Sequence, residues 1–137
     1  MSHFNGTWAC ESTEGLDSVL KELNVGMIKR KVACSMKPIL TINFKPDNSG
    51  FSFKNDKKDN NREFVYNFGT PLDDEIGGAP GKITWSLEEN GSKMVGKFVF
   101  KKNPDNFTVT ERTVENGKLV QKLSFKGKTS VRTFGKK

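Results

Sequence analysis

Outside residues 16–36 the chain runs in short stretches of alternating apolar and polar positions, as in "TVTERTV" (108–114) and "SVRTF" (130–134). Turn signals separate them at intervals of about ten residues: "KPDNSG" (45–50), "NDKKDNN" (55–61), "GGAPG" (77–81), "ENG" (89–91), "KKNPDN" (101–106), "ENG" (115–117) and "KG" (126–127). Short Phe-, Val-, Ile- and Thr-rich runs at this spacing predict strands joined by hairpins, in a sandwich or barrel. One segment breaks the alternation. Leu16, Val19, Leu20 and Leu23 follow helical spacing, with Asp17 and Ser18 suited to a first turn and "NVG" (24–26) to a helix end. Met27, Ile28, Lys31, Val32 and Ser35 resume the helical spacing until Lys37-Pro38, where proline turns its predecessor away from the helix. The pattern predicts one strand, two short helices and then about nine more strands.

The tight turns fix which residues share a face, because a two-residue loop sets the register of its hairpin. A loop at Asn116-Gly117 pairs Glu115 with Lys118 and Arg112 with Gln121; one at Lys126-Gly127 pairs Phe125 with Lys128, Gln121 with Arg132 and Leu119 with Phe134. Three strands then present Arg112, Gln121 and Arg132 in one row, on the face that also carries Thr108, Thr110, Leu123, Phe125, Ser130 and Phe134. Lys122 and Glu111 mark the opposite face as the wet one. Across Asn90-Gly91 the same count pairs Leu87 with Met94, Trp85 with Gly96 and Ile83 with Phe98, so that glycine leaves room for the indole.

Composition narrows this all-β reading. The 137 residues have room for one domain and one core, spanning 1–137. Only 34% are hydrophobic while Phe occurs 11 times, which suits a barrel whose interior is partly polar or partly empty. The formal net charge is +7, but apart from "KRK" (29–31) and a few Lys pairs the cations are scattered, as on a solvated basic surface. "MSHFNGTWAC" lacks a basic stretch followed by an apolar one, and no run approaches the roughly 18 apolar residues of a membrane span. The expectation is a soluble cytosolic protein with Cys10 and Cys34 both reduced.

Neither an enzyme nor a nucleic-acid binder is expected. The only histidine is His3, near the terminus, so no Ser/His/Asp or Cys/His set can be assembled. The carboxylates Asp73-Asp74-Glu75 fall in a turn or short edge strand, a poor setting for acid–base work. The aromatics are not interleaved with a basic patch as on a single-strand-binding barrel.

The arginine row carries the candidate chemistry. A guanidinium facing inward keeps its charge and needs acceptors for five N–H donors. Glu111 points away from Arg112, and Gln121 accepts only part of the bonding, so a ligand carboxylate would complete the site. The competing reading has a register off by one, with the arginines in solvent, or an acid from another strand pairing with them.

The order of elements, together with "FNGTW" (4–8), "GLDSVLKELNVG" (15–26), "RKVA" (30–33), "TWSLEENGSKMVGKF" (84–98) and an arginine two residues before a terminal aromatic, resembles the intracellular lipid-binding proteins, and among them the fatty-acid-binding proteins. The resemblance runs essentially the whole chain. It implies a ten-stranded antiparallel up-and-down barrel, clam-shaped, with a helix-turn-helix cap over about 16–36 and a water-containing cavity. It also implies non-covalent carriage of a long-chain fatty acid by a cytoplasmic monomer, with nuclear import and carriage of retinoic acid or another hydrophobic carboxylate as further readings, and no cofactor. Family members hold the carboxylate through arginines corresponding to Arg112 and Arg132; retinol binders tend to carry Gln there.

Many members have Tyr where this chain has Phe134, so that hydroxyl donor is missing. Phe134 with Gln121 and Trp85 is closer to the intestinal type, which implies Arg112 as principal anchor, Arg132 as supporting one, and Leu119 and Leu123 on the ligand's path. Cys10 and Leu16 replace residues usually aliphatic or aromatic, and both stay apolar. "NDKKDNN" replaces a turn that often bears Phe, and "KKNPDN" is longer than usual. Lys21, Arg30 and Lys31 match positions where relatives carry a basic cluster for nuclear import or contact with anionic membranes.

Overall fold

The computed structural model describes residues 2–56 and 62–137. Strand β1 (Gly6–Glu14) leads into helices α1 (Leu16–Glu22) and α2 (Met27–Ser35), followed by β2 (Ile39–Phe44), β3 (Gly50–Asn55), β4 (Phe64–Asn67), β5 (Leu72–Ile76), β6 (Ala79–Glu88), β7 (Lys93–Phe100), β8 (Phe107–Glu115), β9 (Lys118–Phe125) and β10 (Lys128–Lys136). Most of the "NDKKDNN" turn lies outside the described residues. Asp73-Asp74-Glu75 sit in the short edge strand β5.

The strands form one antiparallel sheet in the order β4-β3-β2-β1-β10-β9-β8-β7-β6-β5. Its two ends meet through side chains: Phe51 of β3 sets its edge on Trp85 of β6 at 5.5 Å, and Tyr66 of β4 does so at 6.2 Å. The sheet therefore curls into a nearly closed barrel. Phe4, Trp8, Phe51 and Phe134, all almost wholly buried, fill the end opposite the helices, and the Trp8 indole donates to the Phe4 carbonyl at 2.9 Å.

The hairpin registers agree with the turn count: Arg112 pairs with Gln121 and Gln121 with Arg132. Asn116 (φ 53°) and Gly117 (φ 77°) take the left-handed conformation that a two-residue hairpin loop requires. The loop before β7 differs, since residues 89–91 form a 3-10 turn and the ladder stops at Glu88–Lys93. Opening it by one residue on each side preserves the register, so Trp85 still faces Gly96.

One irregularity has no sequence signal. The β1–β10 register shifts between Cys10 and Ser12, so Cys10 pairs with Phe134 but Thr13, not Ser12, pairs with Arg132. This bulge turns Thr13, in place of Ser12, toward the arginine row.

The cap is held unevenly. Leu16 and Val19 of α1 are buried, whereas α2 buries no residue and leaves Met27, Ile28 and Val32 exposed. Gly15 makes the sharp entry to α1 at φ 73°, where a Cβ would lie 2.4 Å from the Thr129 carbonyl oxygen. No helix among the described residues is long and apolar enough to cross a membrane.

Candidate ligand-binding cavity

Strand β8 carries Arg112 inward because Arg112 shares parity with Thr108 and Thr110 along an extended chain. Its side chain is 5% exposed. The guanidinium carbon lies 4.5 Å from the centre of the Phe53 ring and 4.6 Å from that of Trp85. Nε donates to Gln121 Oε1 at 2.8 Å, while one terminal nitrogen, buried, has no acceptor. Burial, unrelieved by an ion pair among the described residues, pushes its pKa down to about 10, leaving it a cation at neutral pH. The Trp85 indole N–H is likewise buried without a partner.

Arg132, two strands along in the same row, is half-buried and donates through a terminal nitrogen to the Ala33 carbonyl of α2 at 2.9 Å, while its Nε lacks a partner. Burial lowers its pKa too. A cavity of about 190 Å³ lies against Arg112, Gln121 and Arg132, with Phe53, Phe64 and Tyr66 on the facing side. A larger recess, about 660 Å³, opens between β5, β6, β7 and the following loop and contains neither arginine.

Trp85, Gln121, Leu123 and Phe134 line the arginine cavity; the register count places Gln121, Leu123 and Phe134 on one face with the arginines, and the β7–β8 ladder brings the Trp85 hairpin alongside them. Leu119 does not. It is wholly buried opposite Phe134, in the packed core beyond the open space. Phe53, Phe64 and Tyr66 escape the sequence reading although "GFSF" (50–53) places Phe51 and Phe53 on one face. What that face meets depends on barrel closure, because β3 and β8 are far apart along the sheet.

The cap cations also divide. Arg30 donates to Asp17 at 2.9 Å and to the Val25 carbonyl at 2.8 Å, so it braces the helix pair and is not a free surface charge. Lys21 and Lys31 remain exposed.

No family model matches the chain. It is 30% identical over 134 residues to the intestinal fatty-acid-binding protein of Homo sapiens, covering 97% of this chain and 98% of that protein. The chain belongs to the fatty-acid-binding protein family. Solved structures share the fold: a Schistosoma mansoni fatty-acid-binding protein in complex with arachidonic acid superposes with TM-score 0.86 at 21% identity, covering 100% of this chain and 98% of that one. As-p18, an extracellular fatty-acid-binding protein, gives TM-score 0.79 at 21% identity over 98% and 96% of the two chains. Among the described residues, three unsatisfied N–H donors, on Trp85, Arg112 and Arg132, line a cavity in which the Arg112 guanidinium, without an ion pair, stands against an aromatic wall. That combination suits the charged end of an apolar acid.

Proposed function

We propose that this protein is a non-enzymatic carrier of long-chain fatty acids, a single barrel domain over 1–137 that holds the ligand in a water-containing cavity. Arg112 anchors the carboxylate with Gln121 and Trp85; Leu123 and Phe134 contact the chain. The single observation that carries this reading is the buried Arg112 guanidinium, which has an orphan N–H and no ion pair among the described residues. Each buried methylene contributes roughly 0.8 kcal/mol, so the acyl chain dominates affinity and the arginine sets orientation and selectivity. The cavity of about 190 Å³ is below the ~300 Å³ at which small-molecule pockets begin, so on this reading the cavity widens when a chain enters.

Native mass spectrometry of gently purified protein and titration with a fluorescent acyl probe test the carrier role; absence of both co-purified lipid and saturable binding would overturn it. Arg112→Gln is expected to weaken fatty-acid binding roughly 10- to 100-fold, the worth of a charge-assisted hydrogen bond, and to leave the methyl ester unaffected. If acid and ester affinities both stay at wild-type values, Arg112 is not the anchor.

We further propose a cytoplasmic monomer that touches anionic membranes through α2, where exposed Met27, Ile28 and Val32 lie beside Lys31, with Lys21 nearby on α1. Subcellular fractionation and sedimentation at micromolar concentration check the location and the state: recovery in the medium would refute the first, a concentration-dependent dimer the second.

A further inference from the structure

Arg132 has been grouped with Arg112, yet the structure gives it different work. The last carbonyls of a helix lack intrahelical donors and form the negative end of its dipole. In α2 the chain turns to extended geometry at Met36, whose N–H closes on the Val32 carbonyl at 3.1 Å. The next carbonyl, Ala33, takes the Arg132 terminal N–H at 2.9 Å. The last turn of α2 has no basic residue of its own, so the cation at this end comes from β10.

The bond matters because little else holds α2. None of its residues is buried, and Arg30 ties its first turns only to Asp17 and Val25 within the cap. Among the described residues, Arg132 to Ala33 is the one side-chain hydrogen bond between α2 and a strand. Arg132 also lines the cavity beneath, so the same guanidinium faces both the helix end and the ligand space.

We propose that Arg132 is a positioning residue, a clasp that fastens the C-terminal end of α2 to the barrel wall and must let go for the cap to lift. A carboxylate is a better acceptor than a carbonyl, so an anionic head group passing Arg132 displaces Ala33 and opens the cap as it arrives. The clasp itself stands on the bond between Arg132 and Ala33; only this ligand-triggered release rests on the carrier reading.

The test compares delipidated full-length wild type with Arg132→Gln and Arg132→Lys. Amide exchange over residues 27–35 is expected to quicken about tenfold in the Gln variant, with β8 and β9 unchanged, and the Lys variant, which keeps a cation at the helix end, restores part of the protection. Stopped-flow release of a fluorescent fatty acid should accelerate in the Gln variant more than its Kd rises. Wild-type exchange of α2 in the Gln variant, or equal loss in the Gln and Lys variants, overturns the clasp. If the Gln variant does not fold, Arg132→Met, which keeps most of the stem, takes its place. A protein that binds no fatty acid refutes the carrier reading, and the exchange comparison still decides the clasp.

Discussion

Gly96 has no side chain because Trp85 occupies the space: a Cβ there would come 2.8 Å from the indole ring, which is 4% exposed. The ring is fixed on its other sides by Phe51, Tyr66 and the Arg112 guanidinium, so it cannot give way without disturbing the arginine. Gly96→Ala is therefore expected to destabilise the protein by about 1–3 kcal/mol through overpacking and to shift the tryptophan emission. Urea unfolding followed by fluorescence checks this; a loss below about 0.5 kcal/mol, the scale of a neutral surface change, would contradict it. The Trp85–Gly96 pairing is legible in "TWSLEENGSKMVGKF", because the turn sets the register. Phe53 on the other side of Arg112 is not, since no local pattern records which strand comes to face it.

At the scale of elements, helical spacing in the segment 16–36 predicts both helices, yet says nothing about how firmly each is held. The side chains of α1 descend onto β9 and β10, with Val19 fully buried; Ile28 of α2 is 81% exposed. Deleting apolar atoms matters only where they are packed. Val19→Ala is expected to cost roughly 1–3 kcal/mol, and Ile28→Ser to stay within about 0.5 kcal/mol while slowing transfer of a fluorescent fatty acid to anionic vesicles. Thermal unfolding and a vesicle-transfer assay separate the two; an Ile28→Ser protein with wild-type transfer would remove α2 as the membrane contact.

For the whole molecule, the buried guanidinium of Arg112 costs the fold stability. Its depressed pKa means that folding disfavours the charged form. The unfolded chain holds the proton more tightly than the fold only between about 10 and the ordinary arginine value, so the penalty is complete below pH 10 and stability rises with pH only beyond that. Titration between acid and neutral pH leaves this penalty untouched. Arg112→Met is expected to stabilise the delipidated protein by about 1–4 kcal/mol at neutral pH, as when other buried charges give way to apolar groups, and to weaken fatty-acid binding. Denaturant unfolding of delipidated protein decides; lower stability in the variant would mean that the guanidinium is better satisfied than its orphan N–H indicates.

Local chemistry in the sequence settled the ten strands, the helix pair and the row Arg112, Gln121, Arg132, because turn residues and side-chain alternation act over a few residues and fix register. The inward arginines, an anomaly in "TVTERTV" and "SVRTF", were readable for that reason. What closes around them was left to the tertiary structure. The stacking of Phe53 on Arg112, the bulge that brings Thr13 beside Arg132, the withdrawal of Leu119 into the core and the hold of Arg132 on Ala33 all join segments distant in the chain. Such contacts exist only once a twisted sheet has curled on itself, and so the second arginine, matched with the first by sequence, is set apart from it by the helix it touches.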